Sequence, residues 1–144
     1  MSFVVDCSIT MAWLFEDETT PYTDAILDHL ATNSAIVPSI WPLEVANVLV
    51  HAVRHKRISE LQAANFIDAL AKLPIQVDDS TSLRAMHSIY TLAQTEKLTI
   101  YDAAYLDLAA REKIPIATLD KELLRSAKAL KVAILMKETG ISGK

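Results

Sequence analysis

Four acidic residues, Asp6, Glu44, Asp102 and Asp120, are spread along this 144-residue chain. Each stands near the end of an apolar strand-like run or the start of a helical one. Asp6 closes Phe3-Val4-Val5, and Asp120 lies just past Pro115-Ile116-Ala117-Thr118. Glu44 and Asp102 open two strongly helical segments. In an open α/β sheet, the carboxyl ends of the strands and the starts of the following helices share one rim, where such folds build their sites. Carboxylates meeting there would repel one another unless they held a cation. Hard oxygen ligands with no Cys or His partner suit Mg²⁺ or Mn²⁺. The pattern points to metal-assisted phosphate chemistry.

The elements that must position these acids are legible as alternation. Strands are expected at residues 2–6, 35–38, 75–77, 115–118 and 132–135. Helices are expected at 8–15, 21–32, 40–56, 59–72, 81–95, 101–111 and 121–130. Pro42 falls in the first turn of its helix, where a missing N–H costs nothing. Ser59 is placed to cap the next one. Strands alternating with helices imply right-handed crossovers. The fold class is therefore α/β, with a mostly parallel central sheet covered on both faces. The strands are apolar throughout rather than alternating, as buried parallel strands are. Nothing divides the chain, so residues 1–144 are expected to form one domain.

Composition excludes several classes. The hydrophobic fraction of 51% and mean hydropathy of +0.23 argue against disorder. No apolar run approaches the roughly 18 residues of a membrane span. The N-terminus lacks a basic stretch before its apolar run, so no signal peptide is expected. A single cysteine, Cys7, excludes an internal disulfide and fits a reducing, cytoplasmic setting. The only glycines are Gly140 and Gly143. That rules out a P-loop and a Gly-rich dinucleotide turn, which need glycine for close approach to phosphate. Net charge is −4, unevenly spread: residues 1–110 hold 6 Lys/Arg against 14 Asp/Glu, and residues 111–144 hold 8 against 4. A basic final third could face a polyanion, or be an ordinary solvated helix face.

Each acid also has a plain structural role open to it. Asp6 and Asp120 could cap the helices that follow them. Ser8 could orient the Asp6 carboxylate or belong to the same cap. Glu44 could complement a helix dipole. It shares a helix face with Asn47 in Leu43-Glu44-Val45-Ala46-Asn47-Val48-Leu49, however, and that helix is apolar almost all round. Such a helix is expected to be largely buried, and a buried Glu needs a partner. Thr99 and Asp102 have capping-box spacing. Asp107 lies roughly 140° around the helix from Asp102 and is expected off the site.

At these residues the chain resembles the PIN-domain proteins of the VapC toxin type. The resemblance runs through Val4-Val5-Asp6-Cys7-Ser8, Ala12-Trp13-Leu14-Phe15, Pro42-Leu43-Glu44-Val45-Ala46-Asn47, Thr99-Ile100-Tyr101-Asp102-Ala103-Ala104-Tyr105-Leu106-Asp107 and Ile116-Ala117-Thr118-Leu119-Asp120. It covers essentially the whole chain. It implies a three-layer α/β/α sandwich. It also implies that Asp6, Glu44, Asp102 and Asp120 are the catalytic acidic quartet holding one or two Mg²⁺ or Mn²⁺ ions. Ser8, Asn47 and Thr118 match supporting positions. The implied activity is a metal-dependent endoribonuclease, hydrolysing RNA phosphodiester bonds with metal-activated water.

The resemblance further implies a VapB-type antitoxin and a homodimer. Trp13, Leu14 and Phe15, beside Glu16-Asp17-Glu18, could form a groove for that antitoxin, or be ordinary core. Arg54-His55-Lys56-Arg57 and Lys121, Arg125, Lys128 and Lys131 could contact RNA phosphates, which would give affinity rather than sequence choice. One rival reading is a non-catalytic RNA-binding or ribosome-docking module, against which the intact quartet argues. Another is an aspartyl-phosphate phosphohydrolase with Asp6 as nucleophile. The second acid that chemistry expects two residues after the first is replaced by Ser8.

Overall fold

The run Phe3-Val4-Val5 is apolar on both faces because both faces are covered. All three residues are buried in strand β1, Ser2–Val5. The computed structural model describes residues 1–136; Gly140, Gly143 and the end of the basic third lie outside them. Strand β2, Ser34–Pro38, β3, Ile75–Asp78, and β4, Ile116–Ala117, complete a four-stranded sheet in the order β3-β2-β1-β4. Every pairing is parallel, with Phe3 opposite Ala35, Val4 opposite Ile116, and Val37 opposite Val77. Helices flank the sheet in the expected three-layer arrangement.

The helices are α1, Cys7–Ala12; α2, Pro21–His29; α3, Trp41–Arg54; α4, Glu60–Ala71; α5, Thr81–Arg84; α6, Tyr90–Glu96; α7, Ile100–Glu112; and α8, Lys121–Ala129. Thr20 with Thr23, and Ser59 with Gln62, close complete capping boxes at α2 and α4. Helix α7 packs against β1, β2 and β4, and buries every residue from Ala103 to Ala109. No helix among the described residues is long and apolar enough to cross a membrane.

Three expectations need correction. The last strand, 132–135, is a single parallel bridge, Ile116 to Ile134. Its partner β4 is only two residues long, because Pro115 lacks an N–H and Thr118–Asp120 already turns into α8. The helix expected at 81–95 breaks after Arg84, where Met86 and His87 leave helical geometry. The break seats Arg84 against Asp107 and turns Ile89 and Ala93 onto Ala103 and Ala104 in a second small core. Helix α3 is buried along one side only, at Trp41, Val45, Leu49 and Ala52. Helix α4 stands off from it, leaving open grooves of about 320 and 410 Å³ lined by residues of both helices, including Leu49 and Ile67.

Trp13, Leu14 and Phe15 pack into the main core. The Trp13 indole N–H donates to the Thr23 carbonyl at 2.9 Å. The Arg57 guanidinium lies 3.6 Å from the centroid of the Phe15 ring and bonds Asp17 and Glu18. Phe15 is thus core, Trp13 and Leu14 pack against it while partly exposed, and Arg57 is already engaged.

The Arg84–Asp107 contact is a two-point pair, with Nε to Oδ2 at 2.7 Å and an outer guanidinium nitrogen to Oδ1 at 3.0 Å. Asp107 is buried and has no other side-chain partner among the described residues. Arg84→Met should cost about 1–3 kcal/mol in urea unfolding, by leaving a buried carboxylate unpaired. The double change with Asp107→Asn should recover part of that loss.

Candidate active site

Asp6 follows β1 directly and caps α1: Ile9 N–H donates to its Oδ1 at 3.1 Å. Ser8 Oγ donates to the same oxygen at 2.6 Å. Thr118, just past β4, donates its hydroxyl to Asp6 Oδ2. Both hydroxyls reach further. Leu119 N–H donates to Ser8 Oγ at 3.1 Å, and Asp120 N–H donates to Thr118 Oγ1 at 3.0 Å. Ser8 and Thr118 thus tie the Asp6 carboxylate to the turn that carries Asp120. Asp120 in turn caps α8 through Leu123 N–H at 2.9 Å.

Glu44 is fixed relative to Asp6 by a different chain of contacts. Thr10 Oγ1 donates to the Asp6 carbonyl at 2.9 Å, and the Trp41 indole N–H donates to Thr10 Oγ1 at 3.0 Å. All three of these groups are buried. Glu44 stands one turn beyond Trp41 on α3. The buried Tyr105 hydroxyl, from α7, donates to Glu44 Oε1 at 2.5 Å. Asp102 lies one turn before Tyr105, where Thr99 caps α7 by accepting from Asp102 N–H at 3.1 Å. The reciprocal bond that would complete a capping box is not made, and the Thr99 side chain favours the charged Asp102 carboxylate only as the weakest of the influences on it.

The electrostatics show which acids are neighbours. Burial, then the charges of Asp120 and Glu44, push Asp102 up to about 6. Burial and, more weakly, Asp102 push Asp6 up to about 6, against the opposing hydrogen bonds. Burial raises Glu44, with Tyr105 opposing. Asp102 is the hub of the set. No Lys, Arg or His forms an ion pair with any of the four among the described residues. Asp78, at the end of β3, makes the contrast. Its burial is outweighed by hydrogen bonds from Ser80 and by Arg111 at 2.9 Å, which hold it below the ordinary range. The rim therefore has one neutralised carboxylate and four that repel one another.

That donor set suits a divalent cation: hard oxygens, net negative, and no protein cation to balance them. As they stand, no three His, Cys, Asp or Glu side chains among the described residues are grouped closely enough to hold a metal. The acids are neighbours in charge, each with hydrogen bonds of its own to the scaffold or the next helix. Asn47 is solvent-exposed on α3 and bonds no side chain in the set. Cys7 stands beside them, but burial and then Glu44 and Asp6 push its thiol up to about 12, so it stays protonated at neutral pH. Sequence reasoning missed Tyr105, Thr10 and Trp41. A signal existed for Tyr105, since a tyrosine inside an apolar helix needs a partner for its hydroxyl.

Asp6 and Asp102 titrate higher in the fold than the ordinary Asp value. Between about pH 4 and 6 the folded protein therefore binds more protons than the unfolded chain. Metal-free stability should fall as pH rises through that window and stay lower above it. Asp102→Asn should stabilise the metal-free protein at pH 7 by about 1 kcal/mol after screening at this half-buried group, and by nothing near pH 4. Millimolar Mn²⁺ should raise the melting temperature of the parent protein and leave the variant unmoved. Differential scanning fluorimetry reads both effects.

Comparison with known proteins agrees with the architecture. The PIN domain family model matches residues 3–129. The chain is 25% identical over 130 residues to Ribonuclease VapC3 of Pyrobaculum aerophilum, covering 90% of this chain and 98% of that one. Its fold is similar to the crystal structure of PAE2754 from Pyrobaculum aerophilum, with a TM-score of 0.66 and 22% identity over 93% of this chain and 83% of that one. It is also similar to VapBC2 from Rickettsia felis, solved bound to a DNA fragment from their promoter. There the TM-score is 0.63 with 14% identity, over 93% of this chain and 96% of that one. The family match spans nearly the whole chain, and the chain belongs to the PIN domain family.

Proposed function

We propose that this PIN domain is a metal-dependent endoribonuclease, the toxin of a VapBC-type toxin–antitoxin pair. One observation carries the reading: Asp6, Glu44 and Asp120 all interact unfavourably with Asp102, and no cation among the described residues pairs with any of the four. The name of the Pyrobaculum aerophilum relative, Ribonuclease VapC3, agrees with it. The four acids would hold one or two Mg²⁺ or Mn²⁺ ions. A divalent cation supplies a water of lowered pKa in line with the phosphodiester and offsets charge on its oxygens.

The chain's own residues do the positioning. Ser8 and Thr118 hold the Asp6 carboxylate in one orientation, and Tyr105 holds Glu44. Lys121, Lys128 and Lys131 are exposed along and just past α8, the helix that Asp120 opens, where they suit a phosphate backbone. Arg125 is partly engaged, by Glu122 and the Glu96 carbonyl. The protein partners of this reading are a VapB-type antitoxin and a second copy of the chain. An apolar antitoxin helix would suit the open α3–α4 grooves, where Val50 and Ile67 are exposed, rather than the packed aromatics of residues 13–15.

Antitoxin-free protein should cut a mixed tRNA and rRNA pool at discrete positions with Mg²⁺ or Mn²⁺, and not with EDTA. Asp102→Asn should lower the rate at least about 100-fold, beyond the loss typical of outer partners of a metal site. The products should carry 5′-phosphate and 3′-hydroxyl ends. Cyclic 2′,3′-phosphates would contradict the mechanism, since attack by water cannot form them. Crosslinking to RNA without cleavage would favour a non-catalytic binding module.

A further inference from the structure

Beside the four acids, between α3 and the start of α7, lies an open cavity of about 300 Å³ lined by Ile40, Leu43, Glu44, Asn47 and Tyr101. Leu43 is 72% exposed and Tyr101 58% exposed. Neither the Tyr101 hydroxyl nor the Asn47 amide makes a hydrogen bond among the described residues, so both are available to a ligand. One wall of the cavity is Glu44 itself, and Tyr101 is the residue immediately before Asp102. A scattered exposed leucine would mean nothing. An aromatic ring, a leucine and a free amide opening together onto the carboxylates are a small amphipathic site.

Resting on the ribonuclease reading, we propose that this cavity seats one unpaired nucleobase of the RNA next to the bond that is cut, stacked on Tyr101 with its polar edge toward Asn47. Three arguments favour this occupant. The volume lies at the low end of small-molecule sites and is enough for a single ring system. The apolar grooves between α3 and α4 lie elsewhere and share no lining residue with this cavity, which alone has Glu44 as a wall. Single-stranded RNA is read through splayed bases stacked on aromatic rings and hydrogen-bonded along their edges, and the Asn amide offers both a donor and an acceptor for such an edge. Stacking on Tyr101, the residue before Asp102, would bring a phosphate of that nucleotide toward Asp102 and Glu44. It would also add an anchor much less salt-sensitive than the lysine contacts of α8. The cavity would then choose which unpaired position is cut, a selectivity that phosphate contacts do not supply.

The test uses an RNA that the full-length protein cuts, with Mn²⁺, and compares the parent protein with Tyr101→Ala and Tyr101→Phe. Tyr101→Ala should raise KM about tenfold or more, change kcat less, and leave the thermal midpoint unchanged, while Tyr101→Phe stays close to the parent. An abasic nucleotide at one position flanking the cut should cost the parent about tenfold and cost Tyr101→Ala nothing further. Parental cleavage by Tyr101→Ala, or equal abasic losses in both proteins, would overturn the base site and leave the ribonuclease reading standing. A variant that weakens only the hold of an inhibitory protein, with RNA cleavage unmoved, would likewise overturn it and make the cavity a protein contact. If the parent protein cuts no RNA, both readings fall together.

Discussion

Carboxylates that share one edge of a sheet must be neutralised, protonated or held apart, and this rim uses all three solutions. Asp78 is neutralised by Arg111. Away from the rim, Asp107 is neutralised by Arg84. Among the described residues Asp6 and Asp102 pair with neither Arg nor Lys, and both are displaced toward the protonated form, to about 6. Glu44 and Asp120 are anchored by single donors, Tyr105 and the start of α8. Arginines sit on Asp78 and Asp107, and none is paired with these four among the described residues, which leaves an unbalanced charge that a cation could relieve.

The scaffold around that charge is neutral and largely buried. Trp41, Thr10 and the Asp6 carbonyl form a relay that fixes where α3 starts relative to β1. Ser8 and Thr118 do the same between β1 and the turn into α8. Each hydroxyl donates to the acid and accepts from the backbone next door, so no charged partner is needed to hold the geometry. Asp6 and Asp120 act as helix caps as well. The structural and chemical roles of those acids are therefore not alternatives.

The strand–helix alternation was legible in the sequence because buried parallel strands leave apolar runs and their helices leave caps. Phe3-Val4-Val5 and Ser59 are examples. The break at Met86 and His87 was not, because it is set by long-range contacts, Arg84 on Asp107 and Ile89 on Ala103. The one-sided burial of α3 was hidden too: its composition is apolar all round, and only the stand-off of α4 shows which side meets solvent. In the candidate site, the acids stood out by following apolar runs. Thr10 did not, since a small hydroxyl inside a core segment looks like filler until its partner is known, and Tyr105 signalled only that its hydroxyl needs a partner, not which one. For Trp13 and Phe15 the sequence left groove and core open, because aromatic type alone does not distinguish the two; Phe15 is core and Trp13 packs against it.

The central claim is that the repelling carboxylates form a cation site. The most direct measurement is calorimetric titration of Mn²⁺ into the metal-free protein at pH 5.5 and pH 8, each in two buffers of different ionisation enthalpy. The account predicts binding at both pH values, with protons released at pH 5.5, where Asp6 and Asp102 are partly protonated, and none released at pH 8. Failure to bind Mn²⁺, or binding with no proton release at either pH, would contradict it.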